Sequence, residues 1–263
     1  LVAGRSGIGP ITLCETTDFP SHIAGEVSDF DPARYMDAKD AKRMARFSQM
    51  SVAAAALAIE DSGLDLNKVD QERIGVVMGN GNGGFPTTEQ NARVLVEKGG
   101  MRMSPFFIPM ILPNMAAANV SRTFRLKGYT STIITACAAG TQGIGEATEI
   151  VRRGSADVIL AGGSEAGICE LGLGGFNTIK AFSRRKGDPT EASRPFDAER
   201  DGFVPAEGAA LLVVESLEHA VDRGATILAE VLGQGVSCDA YHAVQPDEDG
   251  SGAARAIRWA LED

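Results

Sequence analysis

The order of patterns along this chain predicts a layered α/β fold. Short apolar, β-branched runs alternate with segments of helical period, and glycines punctuate many of the junctions. A length of 263 residues with 44% hydrophobic content can bury a large core. Charged residues at 23% and 31 glycines fit an enzyme with many tight turns and argue against disorder.

The elements follow in order. Asp40 to Asp61 reads as a helix, alanine-rich at Ala53 to Ala58 and stopped at Ser62-Gly63. Arg73 to Met78 reads as a short strand, followed by a glycine loop, Gly79 to Gly84. Thr87 to Lys98 is helical, and Pro109 to Thr123 is a helix interrupted near Pro113. The stretch ending at Ala136 is β-branched and reads as a buried strand. The periodic residues after it (Ile144, Ala147, Ile150, Val151) give a helix ending near Gly154. Ala156 to Ala161 is a strand closed by Gly162-Gly163. Gly172 to Gly175 and Ser183 to Gly208 read as irregular. Ala209 to Glu215 is a strand, Leu217 to Arg223 a helix, Ala225 to Val236 a long strand, and a last helix starts near Gly252.

Composition excludes several classes of function. A net charge of −10 argues against general nucleic-acid binding. The four cysteines (Cys14, Cys137, Cys169, Cys238) form no CxxC pair, so neither a metal site nor a disulfide framework is indicated, which points to a reducing, cytoplasmic setting. No apolar run approaches membrane-spanning length, and no signal peptide is visible.

Cys137 is the most informative residue. It stands where the strand gives way to the helix, within Thr135-Ala136-Cys137-Ala138-Ala139-Gly140. Such a turn sets a sulfur at the positive end of a helix, beside unpaired backbone N–H groups, a setting for a nucleophilic thiolate. The alternative is a buried structural cysteine. The small residues around Cys137 leave room for a substrate and favour the nucleophile.

Other motifs compete. Gly79-Asn80-Gly81-Asn82-Gly83-Gly84 matches GxGxxG after a strand, but the region about 20 residues on, Gly99 to Pro105, lacks the acidic strand end of a dinucleotide site. A tight turn that lets backbone approach a neighbour is the better reading. Of the three histidines, His219 lies in a polar helix and reads as solvated, and His22 lies near the start. His242 lies in a loop after a strand, where it either reaches a site or hydrogen-bonds its own backbone. None stands out as a general base. Ser193 to Phe203, with Arg and Asp interleaved around two phenylalanines, reads as a loop locked by ion pairs and ring packing.

Taken together, these segments resemble the β-ketoacyl-acyl carrier protein synthases, most closely the type II elongating enzymes. The matching pieces are Ser104 to Pro109, Thr135 to Gly140, Ala161 to Ala166, Gly174-Gly175-Phe176, Arg194 to Phe203, and Ser237 to His242, in family order. The resemblance implies the thiolase-like fold (αβαβα): two similar halves, each a five-stranded sheet with helices. Residues 1–225 would then be most of the nucleophile-bearing first half, and 226–263 the start of the second. With no initiator Met and no terminator at either end, the chain is expected to be a fragment truncated at both ends, without condensing activity of its own.

The resemblance also implies roles. Cys137 would take an acyl group from acyl carrier protein as a thioester, its N–H serving as one oxyanion donor. Malonyl-acyl carrier protein would lose carbon dioxide and the carbanion attack that thioester, with no cofactor beyond the phosphopantetheine that carries the substrates. The two family histidines that assist decarboxylation, in His-Gly-Thr and Gly-His contexts, and a following lysine and glycine-phenylalanine loop have no counterpart in these 263 residues. Phe176 and the Phe107-Ile108 pair fall where the family lines its acyl tunnel, the latter reaching across a homodimer interface. His242 joins this substrate set. Asn82 falls where many elongating synthases carry an apolar tunnel-floor residue, a departure that bears on chain length because a buried amide needs partners an alkyl chain lacks. Lys39, Lys42 and Arg43, with Arg102 and Lys180, fall where the family presents positive charge to its acidic carrier protein; the alternative is a solvated face. A polyketide ketosynthase usually shows serines after its cysteine, where this chain has Ala138-Ala139. A non-catalytic chain-length partner subunit typically replaces the cysteine.

Overall fold

A computed structural model describes residues 2–263. The chain opens with β1 (Ile8–Pro10) and β2 (Ile23–Gly25), an antiparallel ribbon pairing Ile8 with Gly25 and Pro10 with Ile23. Then come α1 (Ala38–Ala41), α2 (Arg46–Asp61), β3 (Ile74–Gly79), α3 (Phe85–Lys98), α4 (Phe107–Ile111) and α5 (Met115–Phe124). β4 (Thr130–Ile133), α6 (Ala139–Arg152), β5 (Val158–Glu165), α7 (Glu170–Thr178), β6 (Gly208–Glu215), α8 (Leu217–Asp222) and α9 (Ser251–Glu262) complete the order.

Four strands form the main sheet in the order β4-β3-β5-β6, the first three parallel and β6 antiparallel to β5. β3 and β5 are apolar on both sides because helices cover both faces. β4, expected to be buried, is instead an edge strand of exposed and half-buried residues, because only β3 pairs with it among the described residues. Alternation sorts the side chains of β3 and β5. Ile74, Val76, Met78, Val158 and Leu160 pack with Phe47, Met50 and Val52 of α2 and Ala116, Ala117 and Val120 of α5. Val77, Ile159 and Ala161 face the other way, against Ala147 and Ile150 of α6. Among the described residues, α6, which follows the cysteine turn, thus supplies the helical cover on that side of the sheet. The expected five-stranded sheet is four-stranded among the described residues: the first short strand pairs with β2 rather than joining the sheet.

Most elements fall where the sequence places them, with four differences. The helix expected over Asp40 to Asp61 is two, because Ala45 is extended (φ −69°, ψ 159°) and the Gln49 amide covers the carbonyls of Ala41 and Met44, at 2.8 and 3.3 Å. The strand at 156–161 runs on through Gly162 and Gly163 to Glu165, since these glycines let β6 and α6 lie close. Gly172 to Gly175 is helical, inside α7. A side chain at Gly172 would meet the Gly167 carbonyl, so this glycine serves packing rather than a loop. The long strand expected over Ala225 to Val236 does not form. A strand needs a ladder partner, and none pairs with this segment among the described residues. Instead the segment runs irregularly between α6 and α9: Arg152 donates to Leu232 O at 3.2 Å, and Gln234 N–H donates to Asp263 Oδ2 at 3.1 Å. Among the described residues, no helix is long and apolar enough to cross a membrane, and no cluster of three or more His, Cys, Asp or Glu could hold a metal ion.

Candidate active site

Cys137 occupies the middle of a single 3-10 turn, Ala136–Ala138, between β4 and α6, and is exposed. Ala136 has φ 51°, a left-handed conformation that costs a non-glycine residue about 1–2 kcal/mol. The turn is bracketed by two bonds. Ala138 N–H donates to Thr135 O at 3.1 Å, and Thr135 Oγ1 donates to Gln142 Oε1 at 2.9 Å, tying the strand end to the first turn of α6.

Glycines set the height of α6 over the sheet. A Cβ at Gly79 would fall inside the backbone of Ala139 and Gly140, and one at Gly163 would lie 3.2 Å from the Gly140 Cα. Gly143 rests in turn over Gly162 and Gly79. The start of the helix therefore presses directly onto the carboxyl ends of β3 and β5, the usual position of sites in open α/β sheets.

The glycine loop after β3 is clamped rather than open. Asn80 donates through Nδ2 to Ser164 O at 2.6 Å and accepts through Oδ1 from Gly83 N–H at 2.7 Å. Glu165 Oε2 accepts from the N–H groups of Gly81 and Asn82, at 2.9 and 3.1 Å. Those N–H groups are thereby committed to protein acceptors instead of a phosphate. Gly83 has φ 61° and, with Gly84, abuts the carbonyls of Met110 and Ile111 at α4. The loop is the close-approach turn that the sequence indicates.

The remaining sequence-derived residues divide. Phe107 is half-buried on α4, and Ile108 beside it is exposed. Phe176 on α7 packs with Phe182 and Phe203, ring centroids 5.2 and 5.7 Å away. Phe203 thus anchors the Arg194 to Phe203 segment, helped by Asp201, which accepts from Ser183 Oγ at 2.6 Å and from Arg184 N–H at 2.9 Å. The lock uses only one of the two phenylalanines, since Phe196 is 99% exposed. Asn82 is half-buried, its amide nitrogen beside Gly167. His242 is exposed, and its Nδ1 accepts from Val244 and Gln245 N–H at 3.1 and 3.0 Å, the self-bonded loop alternative. His22 pairs with Thr16. His219, expected to be solvated, is half-buried against Glu215 (Nδ1 to Oε2, 2.7 Å), which Arg223 also holds.

Lys39, Lys42 and Arg43 share one exposed turn, and the Arg43 guanidinium lies 4.6 Å from the Phe106 ring centroid. This contact joins the turn to the Ser104 to Pro109 segment. Arg102 and Lys180 are exposed elsewhere, at the 3-10 turn Gly100–Arg102 and past the end of α7. Sequence reading missed Glu165, Thr135 and Gln142. For Glu165 the signal was an acidic residue closing an otherwise apolar strand.

The "Beta-ketoacyl synthase, N-terminal domain" family model matches residues 1–220. The chain belongs to the β-ketoacyl synthase family. It is 46% identical over all 263 residues to the 3-oxoacyl-[acyl-carrier-protein] synthase 2 of Synechocystis sp., covering 63% of that protein, and 46% identical to the enzyme of the same name from Vibrio cholerae, covering 64%. The chain thus spans less than two thirds of the length of these relatives. Among solved structures, it superposes on the ishigamide ketosynthase/chain length factor with a TM-score of 0.90 at 36% identity, covering 99% of this chain and 63% of that one. It also superposes on the ketosynthase of the AntDE:AntF complex, with a TM-score of 0.83 at 32% identity and the same coverage. The fold is therefore the thiolase-like fold of the ketosynthases.

Proposed function

We propose that the protein containing this chain is a 3-oxoacyl-acyl carrier protein synthase of fatty-acid elongation, with Cys137 as its acyl acceptor. One observation carries the reading: an exposed cysteine on a strained turn at the start of a helix, in a chain 46% identical throughout to synthases of that name. The Cys137 thiolate adds to the carbonyl of an acyl thioester, and backbone N–H groups at the head of α6 steady the oxyanion. The intermediate collapses and expels the phosphopantetheine thiolate of the carrier protein, leaving the acyl group on Sγ. Malonyl-acyl carrier protein then loses carbon dioxide, and its carbanion attacks the acyl carbonyl, freeing the Cys137 thiolate. These residues supply the nucleophile; no His-Gly-Thr or Gly-His sequence occurs among them.

An acyl carrier protein partner, a homodimer and a cytoplasmic setting belong to the same reading. The first is supported by the AntDE:AntF structure, a ketosynthase in complex with a type II polyketide acyl-carrier protein. Residues 1–225 form the nucleophile-bearing half and 226–263 the start of the second, a division supported by the family match ending at 220. Mass spectrometry of the full-length protein after exposure to acyl-acyl carrier protein should place the acyl mass on the peptide bearing Cys137. Acylation that survives Cys137→Ala would refute the assignment.

The AntDE:AntF neighbour, a ketosynthase bound to a hexaketide, supports a second reading, extension of polyketide chains. Competing saturated and poly-β-ketoacyl thioesters for Cys137 separates the two by which acyl group accumulates.

A further inference from the structure

Glu165 is a half-buried carboxylate that the chemistry at Cys137 does not use. Strand alternation puts it on the same face of the sheet as Gly163, which lies under Gly140 of α6. Gly81 follows Gly79 by the same step, and the two strands run in register, Gly79 beside Gly163. Glu165 therefore lies two residues beyond Gly163 on the face that carries the start of α6, which the Cys137 turn precedes. Its Oε2 accepts the Gly81 and Asn82 N–H groups, while Oε1 is buried with no partner. Burial pushes the Glu165 carboxyl up, against the opposing hydrogen bonds from Asn82, Gly81 and Ala166.

A half-buried carboxylate with one orphan oxygen is costly to keep. The rest of the loop does not need it for anchorage. Asn80 fastens both Gly83 N–H and Ser164 O, and Ser164 Oγ is bonded to Ser51 Oγ of α2 at 2.7 Å. Among the described residues, Glu165 alone supplies side-chain acceptors to Gly81 and Asn82. We infer that Glu165 is a positioning residue that fixes the Gly81-Asn82 peptide, and with it the Asn82 side chain, and so sets the depth available to the acyl chain on Cys137. This inference rests on the reading of Cys137 as acyl acceptor, and it makes acyl-length preference a property of a residue that need not touch the acyl group.

Three variants of the full-length protein test it. Glu165→Gln keeps an acceptor oxygen for the two N–H groups. Glu165→Leu removes both acceptors at similar volume. Gly81→Ala leaves Glu165 intact but brings a methyl within 2.7 Å of Oε2, pushing the loop away. Two readouts are taken: amide hydrogen exchange at Gly81 and Asn82, and relative rates of Cys137 acylation by short- and long-chain acyl-acyl carrier proteins. Leu and Ala variants should exchange about tenfold faster at these two amides and shift the long-to-short ratio about fivefold, with Gln close to wild type on both. Unchanged exchange in the Leu and Ala variants overturns the positioning role. Faster exchange with an unchanged length ratio overturns the link to acyl depth. A wild-type protein never acylated at Cys137, yet showing the exchange pattern, retains the loop tie and discards the functional reading together with the depth claim.

Discussion

Arg46 and Glu207 meet in a two-point ion pair, Nη2 to Oε1 at 2.6 Å and Nε to Oε2 at 2.7 Å, with the Glu207 side chain only 1% exposed. Glu207 also accepts from Val27 N–H at 3.0 Å, and Arg46 donates to Val27 O at 2.7 Å. The pair therefore pins the start of α2, the chain after β2 and the entry to β6 at one point.

Replacing Arg46 with Met leaves a buried carboxylate without its counter-charge. The expected loss is about 3–5 kcal/mol of stability, read by urea unfolding. Adding Glu207→Leu to that variant should recover much of the loss, because the uncompensated charge is then gone. A single variant as stable as wild type contradicts this account.

The four cysteines should separate under alkylation. Burial, with the carboxylates of Glu89, Glu170, Glu26 and Glu15 around it, pushes the Cys14 thiol up to about 11; burial does the same for Cys169, also to about 11. At pH 8 each is about one part in a thousand thiolate. Cys137 and Cys238 are exposed. Iodoacetamide at pH 8, followed by peptide mass mapping, should mark Cys137 and Cys238 within minutes and leave Cys14 and Cys169 largely free.

Gly79→Ala should be severe. Its methyl has no space beneath Ala139 and Gly140, so α6 must lift from the sheet, at about 2–4 kcal/mol. Gly175→Ala, at an exposed helical position with nothing within 4 Å, should be neutral or slightly stabilising. Melting curves for the two compare a packing glycine with a bystander.

Burial alone would raise the Glu215 carboxyl, but hydrogen bonds from Arg223 and His219 outweigh it and hold the group below the usual carboxylate range. With a folded value below the unfolded one, about 4.3, the group stabilises the fold fully above that value. That contribution fades as pH falls through the lower folded value. The melting-temperature gap between wild type and Glu215→Gln should therefore be present near neutrality and narrow as pH falls below about 4.3. A gap that widens in acid has the wrong sign.

The sheet and its helices were legible because their signals are local. Ile74 to Gly79 is an apolar run that helices must cover, and Ala147 and Ile150 keep helical period beside it. Glycine misled where its role was spatial. Gly172 and Gly174 weaken a helix in isolation, yet α7 forms because Gly172 must sit against Gly167 and because the Cys169 sulfur accepts from Gly172 N–H at 3.4 Å. Ile227, Leu228, Val231 and Leu232 suit a strand, but pairing is a property of neighbours and leaves no mark within the segment. At the site, Cys137 announced itself through its turn. Glu165 did not, because its partners are backbone N–H groups more than 80 residues away in sequence.

Helix α6 is fastened at both ends. Thr135 and Gln142 bracket the turn that bears Cys137, while Arg152 at the far end holds Leu232 O and the Asp263 carboxylate, at 3.2 and 3.0 Å. Fourteen residues make a rod about 21 Å long. The turn that bears Cys137 and the 232–263 segment are thus tied to opposite ends of one helix.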